Sequence, residues 1–204
     1  MSNSTRKTSV QAKTVKKISK GFTLIELMVG VSIMGIIAAI ALPNLGEFLI
    51  KMRVDNEVSE LQRLILTTRN TAVNMGQTTI MCPLNASNTC TDNWDSQLSV
   101  FIDVNDNLTL DDGETLVKFK EAIKSMDQLQ YTNDEPLIYE ATGFLSTTNG
   151  NFIYCPEDDA NLNRGISIGA SGRARVSSDL DDDDIDEFMV IEEAGTTITS
   201  IVCS

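Results

Sequence analysis

Residues 20–43, KGFTLIELMVGVSIMGIIAAIALP, decide how this chain is built. From Phe22 to Leu42 there are 21 residues and a single charge, Glu26. As a helix, that length crosses a bilayer core. A carboxylate within such a span costs about 2.5–3.5 kcal/mol, so Glu26 calls for a partner. Residues 1–21 carry six basic side chains (Arg6, Lys7, Lys13, Lys16, Lys17, Lys20) and no acid. The positive-inside rule then leaves residues 1–20 in the cytoplasm and carries the body across.

Two processing routes fit this segment. The small-x-small triplet AIA at 39–41 suits cleavage after Ala41 by a secretory signal peptidase. Against that route, the apolar run exceeds an ordinary signal core of about 7–15 residues and contains an acid. The other route cuts between Gly21 and Phe22, which removes the basic leader and keeps the helix.

The unbroken run from Gly21 to Glu26, behind a basic leader and ahead of an apolar helix, resembles the class III signal of type IV pilins and type II secretion pseudopilins. The resemblance implies cleavage after Gly21 by a prepilin peptidase and N-methylation of Phe22. It also supplies the partner for Glu26. Cleavage makes a positive amine at Phe22, and a carboxylate four residues on neutralises it within the chain or on a neighbouring subunit. A paired charge is tolerable in apolar surroundings where a lone one is not.

The leader's six basic residues come off a total charge of −13, so residues 22–204 carry −19. Such a body repels nucleic acid and anionic lipid unless a local patch overrides the mean. Aromatic residues make up 5% of the chain, which predicts a mainly aliphatic core. There is no histidine, which removes the commonest general base and metal ligand. The four cysteines, Cys82, Cys90, Cys155 and Cys203, are an even set behind an export or membrane signal and read as disulfides. Three pairings are open. Local closure of Cys82 with Cys90, leaving Cys155 for Cys203, is the preferred one. No Cys-x-x-Cys spacing suggests zinc.

Beyond Pro43 apolar residues recur at 45, 48, 49, 52, 54, 58, 61, 64, 65, 72 and 75. Steps of three and four mark an amphipathic helix, with Gly76 as its stop. Past residue 77 the pattern becomes short β-branched runs: TTIMC, QLSVFID, TLVKF, PLIYE, NFIYC, RGISIG, RARVS, EFMVIEE and TTITSIVC. The fold class is α+β: a long N-terminal helix packed on a C-terminal antiparallel head. The expected organisation is a leader over 1–21, a membrane and assembly helix over 22–43, an amphipathic helix over 44–76 and a β-rich head over 77–204. Residues 1–8 and 177–187 read as mobile.

Head segments RNTAVNMGQTTIMCP (69–83), VFIDVNDNLTLDDGE (100–114) and RGISIGASGRARV (164–176) resemble the H-type pseudopilins and the FimT/FimU minor pilins. Within them, Asp103, Asn105, Asn107, Asp111 and Glu114 fall at positions 1, 3, 5, 9 and 12 of an EF-hand-like loop, a spacing that wraps calcium. Position 6 should be glycine and is Leu108. The preferred reading is therefore an acidic β-turn, with calcium as the alternative. Seven acids in SSDLDDDDIDE (177–187) read as a solvated loop. Arg173 and Arg175 in GRAR match a pattern that the FimT resemblance links to DNA binding during uptake. Against this stand ten basic residues and 29 acids in the body.

No nucleophile elbow, phosphate loop or metal spacing points to catalysis. The resemblance implies a non-catalytic minor pilin or pseudopilin without a cofactor. Its expected place is the bacterial inner membrane, single-pass with a periplasmic head, before it joins a periplasmic or extracellular fibre. Its partners would be other pilins or pseudopilins, through bundling of N-terminal helices, and prepilin peptidase. Its task would be to help initiate or cap assembly. The alternative is a DNA-binding minor pilin acting in natural transformation.

Overall fold

Gly76 ends the long helix as expected. In this computed structural model α1 runs Leu24–Met75, and Gly76 follows at φ +66° with its N–H on Ala72 O at 2.9 Å. A glycine takes that left-handed turn without penalty. The structure describes residues 21–133, 135–146, 148–157, 160–192 and 195–203. The side chains of 40–44, 190–192 and 195–197 are not among those described. The basic leader, and with it the mobile reading of residues 1–8, lies outside them.

The chain divides into two units, Met1–Asn44 and Leu45–Ser204. In the first, every described large apolar side chain from Leu24 to Ile37 is at least half exposed. Among the described residues no helix is long and apolar enough to cross a membrane. Side chains are described from Phe22 to Ala39 and again from Leu45, so the span expected over 22–43 lies partly outside them.

In the second unit α1 buries Val54, Val58, Leu61, Leu64, Ile65, Thr68 and Ala72. The stripe is shorter than the sequence suggested. Leu45, Phe48, Leu49, Met52 and Met75 are exposed; these apolar residues keep the helical period but meet no sheet.

Two four-stranded antiparallel sheets receive the stripe. One orders its strands β3 (Thr115–Lys120), β2 (Leu98–Ile102), β1 (Thr79–Pro83) and β5 (Leu137–Tyr139). The other orders β4 (Gln128–Tyr131), β6 (Gly150–Cys155), β7 (Arg164–Ile168) and β8 (Ala174–Val176). A hairpin of β9 (Glu187–Glu192) and β10 (Gly195–Ser200) completes the unit. Each of the nine runs named from the sequence overlaps a strand. β4, QLQY, went unseen because two glutamines occupy its outward positions and mask the alternation.

The core is mainly aliphatic, as expected, with a compact aromatic cluster inside it. All three tyrosines and the sole tryptophan are buried. Trp94 meets Tyr131 and Phe152 edge-on, each at 5.0 Å between ring centroids, and Tyr131 stacks on Phe152 at 4.2 Å. The aromatic residues are few but concentrated between helix and sheets, where each contributes the largest area per side chain.

Ion pairs fix the helix at its polar margins. Arg53 meets Asp127 at 3.1 Å, and the Asp127 side chain is fully buried. Tyr154 OH donates to Asp127 Oδ2 at 2.6 Å. Lys120, itself buried, pairs with Glu57 at 2.5 Å. Arg164 bridges Asp55 at 3.3 Å and Asp186 at 3.2 Å.

Candidate functional site

At the N-terminal end, Thr23 and Glu26 form a reciprocal cap. Glu26 N–H donates to Thr23 Oγ1 at 3.2 Å. Thr23 N–H and Oγ1–H each donate to Glu26 Oε2 at 3.3 Å. This capping box satisfies helix-end donors that otherwise have no partner. It also holds the carboxylate at the positive end of the helix dipole, beside Phe22, which is 86% exposed. The Thr-x-x-Glu spacing was visible in the sequence, yet Thr23 was not singled out there. Further along, Ser32 Oγ–H donates to Met28 O at 2.8 Å, so its hydroxyl is satisfied within the apolar run.

The cysteines pair Cys82 with Cys90 and Cys155 with Cys203, with Cα–Cα separations of 5.6 and 6.2 Å. The first clips the end of β1 to the following loop. The second ties the segment after β10 to the end of β6.

The 103–114 loop is closed by its own donors. Buried Asp103 accepts the N–H of Leu108 at 2.9 Å and of Asn107 at 3.3 Å. Asp111 Oδ2 accepts the side-chain amides of Asn105 at 2.9 Å and Asn107 at 2.8 Å, and these two bonds hold the Asp111 carboxyl below its usual range. Glu114 accepts from Val104 N–H at 2.8 Å and Asp111 N–H at 3.1 Å. Leu108 takes φ +60°, the left-handed turn for which glycine was expected. The five residues therefore share one loop, and their oxygens accept internal hydrogen bonds.

The acidic stretch is not solvated throughout. Asp186 and Glu187 are buried. Asp186 accepts from Ser177 Oγ–H at 2.7 Å and pairs with Arg164. Asp179 accepts the backbone N–H groups of Asp182, Asp183 and Asp184 between 2.7 and 3.2 Å. The slight burial there raises the Asp179 pKa, but these bonds outweigh it and leave the carboxyl below its usual range. Most of the stretch is thus an exposed, hydrogen-bonded turn, in keeping with the loop reading, and its last two acids are buried.

Arg173 and Arg175 are exposed and line one cavity of about 440 Å³ with Asn149, Asn151, Ser167 and Ser171. β-pairing sets Asn151 opposite Ser167 and Ser167 opposite Arg175, so the three stand in a row on the outer face of the sheet. Neither arginine makes an ion pair with any described residue. The two asparagines could not be found from sequence, because their proximity depends on the register of three strands.

The family described as type II transport protein GspH matches residues 57–172, and the prokaryotic N-terminal methylation motif matches residues 16–42. A fimbrial protein of Pseudomonas aeruginosa is 50% identical over 48 residues, which is 24% of this chain and 31% of that protein. The chain thus spans about a third of the length of that curated relative. Among solved structures, the type IV minor pilin FimU of Pseudomonas aeruginosa superposes with a TM-score of 0.50 at 17% identity, covering 61% of this chain and 88% of that one. The minor pseudopilin EpsH from the type 2 secretion system of Vibrio cholerae gives a TM-score of 0.45 at 14% identity, covering 61% and 95%. The GspH match covers more than half of the residues, and the helix and antiparallel sheets share the fold of a minor pilin: the chain belongs to the family of type II transport protein GspH.

Proposed function

We propose that this chain is a non-catalytic structural subunit of a type IV pilus or type II secretion pseudopilus. Prepilin peptidase cuts between Gly21 and Phe22, and Phe22 is then N-methylated. The retained helix holds the subunit in the bacterial inner membrane with its head in the periplasm. From there it joins the fibre by bundling with the helices of other subunits and helps to initiate or cap it. The observation that carries this reading is the helix from Leu24 to Ile37, apolar and exposed all round, with its one carboxylate fixed at the end where the new amine forms. A helix exposed in this way is covered by lipid or by neighbouring helices. N-terminal sequencing of the mature protein is the test: Phe22 supports the proposal, whereas Asn44, or Leu42 after a cut at Ala41, overturns it.

The DNA-uptake alternative rests on Arg173 and Arg175. Each phosphate contact contributes a salt slope of about −0.9, so two arginines on a body of −19 give weak, easily screened binding. The expected result is no gel shift of duplex DNA at physiological salt. A salt-sensitive shift lost in the Arg173→Gln/Arg175→Gln variant would establish the DNA reading instead.

A further inference from the structure

The trough on the outer face of the β6–β7–β8 sheet is a local electropositive exception in the acidic body. Several of the body's other cations are engaged. Arg53, Lys120 and Arg164 sit in ion pairs. Arg69 donates to the carbonyls of Gly143 at 3.0 Å and Ser171 at 3.2 Å. Arg173 and Arg175 have no such partner among the described residues, and none of the residues that line the cavity they share is an acid; Arg175 also borders a neighbouring cavity whose one acid is Glu187. In a body with 29 acids that is a marked local reversal of charge.

The remaining lining is a set of neutral hydrogen-bonding groups. Asn151, Ser167 and Arg175 form one row across three strands. In the next row Gly169 N–H donates to Arg173 O at 3.1 Å. A Cβ added at Gly169 would meet nothing within 4 Å, so the floor there is open. A guanidinium is a planar fork that binds a carboxylate through two parallel hydrogen bonds. Asparagine amides and serine hydroxyls beside it complete the contacts of the same anion or of a nearby peptide group.

We propose that this trough binds an acidic segment of a neighbouring subunit, with Arg173 and Arg175 each taking a carboxylate. The proposal rests on the reading of the chain as a fibre subunit. Charge complementarity selects the occupant. The trough is short, and the exposed acids Asp179 and Asp181–Asp184 begin four residues past Arg175. A long polyanion laid across the arginines would run against those acids. A compact peptide with two or three carboxylates ends before reaching them.

The test uses the full chain in detergent micelles and a fluorescein-labelled tri-aspartate peptide, with binding read by anisotropy. The expected result is saturable binding that weakens between about 50 and about 300 mM NaCl and is absent for tri-asparagine. In the Arg173→Gln/Arg175→Gln variant, affinity drops by about tenfold or more. Arg63→Gln, at an exposed arginine on α1, leaves it unchanged. The Arg173→Lys/Arg175→Lys variant keeps the charges and recovers part of the affinity, which separates loss of the site from misfolding. Equal binding by the glutamine variant, no binding by the unaltered chain, or tighter binding of a short duplex DNA at the same salt overturns the proposal. If the unaltered chain enters fibres but does not bind peptide, only the trough assignment fails. If it binds peptide but never enters fibres, the subunit reading fails instead.

Discussion

Tyr154 and Asp127 are joined by a 2.6 Å hydrogen bond in the interior of the head, and the same carboxylate holds Arg53 of the long helix. Asp127 also accepts the N–H of Glu157 at 3.2 Å. One buried acid therefore connects α1, the loop before β4, β6 and the segment that follows it. Replacing it with alanine would remove the buried carboxylate that Arg53, the Tyr154 phenol and the Glu157 amide share. The expected cost of Asp127→Ala is about 3–5 kcal/mol, measured as a shift in the urea midpoint. A loss below about 1 kcal/mol would show that the Arg53 pair contributes no more than a surface one.

Alkali should weaken the head through its tyrosines. Burial pushes the hydroxyls of Tyr131, Tyr139 and Tyr154 above the usual phenol range, and for Tyr154 the Asp127 hydrogen bond adds to the shift. The folded state then keeps these protons after the unfolded chain has lost them. Stability is flat below the ordinary phenol pKa of about 10 and falls as pH rises past it. Urea titrations from about pH 8 to about pH 11 test this, and Tyr154→Phe should show the shallower alkaline loss. An equally steep loss in that variant would move the effect to other groups.

The two disulfides should differ in worth. Cys82–Cys90 closes a loop of eight residues in sequence separation, and Cys155–Cys203 one of 48. On chain entropy alone, loss of the first costs about 2.5 kcal/mol and loss of the second about 4 kcal/mol. Paired serine variants compared by thermal unfolding give the order directly. A larger loss from the short clip would point to packing of Cys82, which is fully buried, over chain entropy.

Calcium should leave the 103–114 loop unchanged, because Asp103, Asp111 and Glu114 already accept internal donors. The thermal midpoint is expected to be the same in millimolar calcium and in EDTA. A rise with calcium, lost in Asp103→Asn, would show that the ion displaces those hydrogen bonds.

At the N-terminus, Glu26→Ala should abolish entry into fibres while the protein stays folded and in the membrane. Thr23→Ala removes the hydroxyl that orients Glu26 and should lower incorporation less severely, with Thr23→Ser restoring it. Loss of that cap weakens the helix start by about 1 kcal/mol. Normal incorporation of the Glu26 variant would remove the charge-pairing role assigned to that carboxylate.

Much of the fold was legible because its signals are local. The Gly21–Glu26 run, the Gly76 stop and the β-branched runs need only their own residues. The features that were missed depend on what lies opposite. β4 hides behind its glutamines. Leu45, Phe48, Leu49 and Met52 keep the helical period yet meet no sheet, so periodicity overstated the buried stripe. Asp186 looked like one more acid of a charged run until Arg164 and Ser177 were placed beside it. The Arg173/Arg175 trough exists only through the register of β6, β7 and β8.

The bond between Cys155 and Cys203 makes a covalent ring of the chain between them, and the hairpin of β9 and β10 lies inside that ring. So does the exposed acidic turn at Asp181–Asp184. A single backbone cut anywhere within the ring opens it into two arms that remain bonded to each other. A protease that finds the acidic turn therefore nicks the head without releasing a fragment, and the severed strands keep their places until the disulfide is reduced.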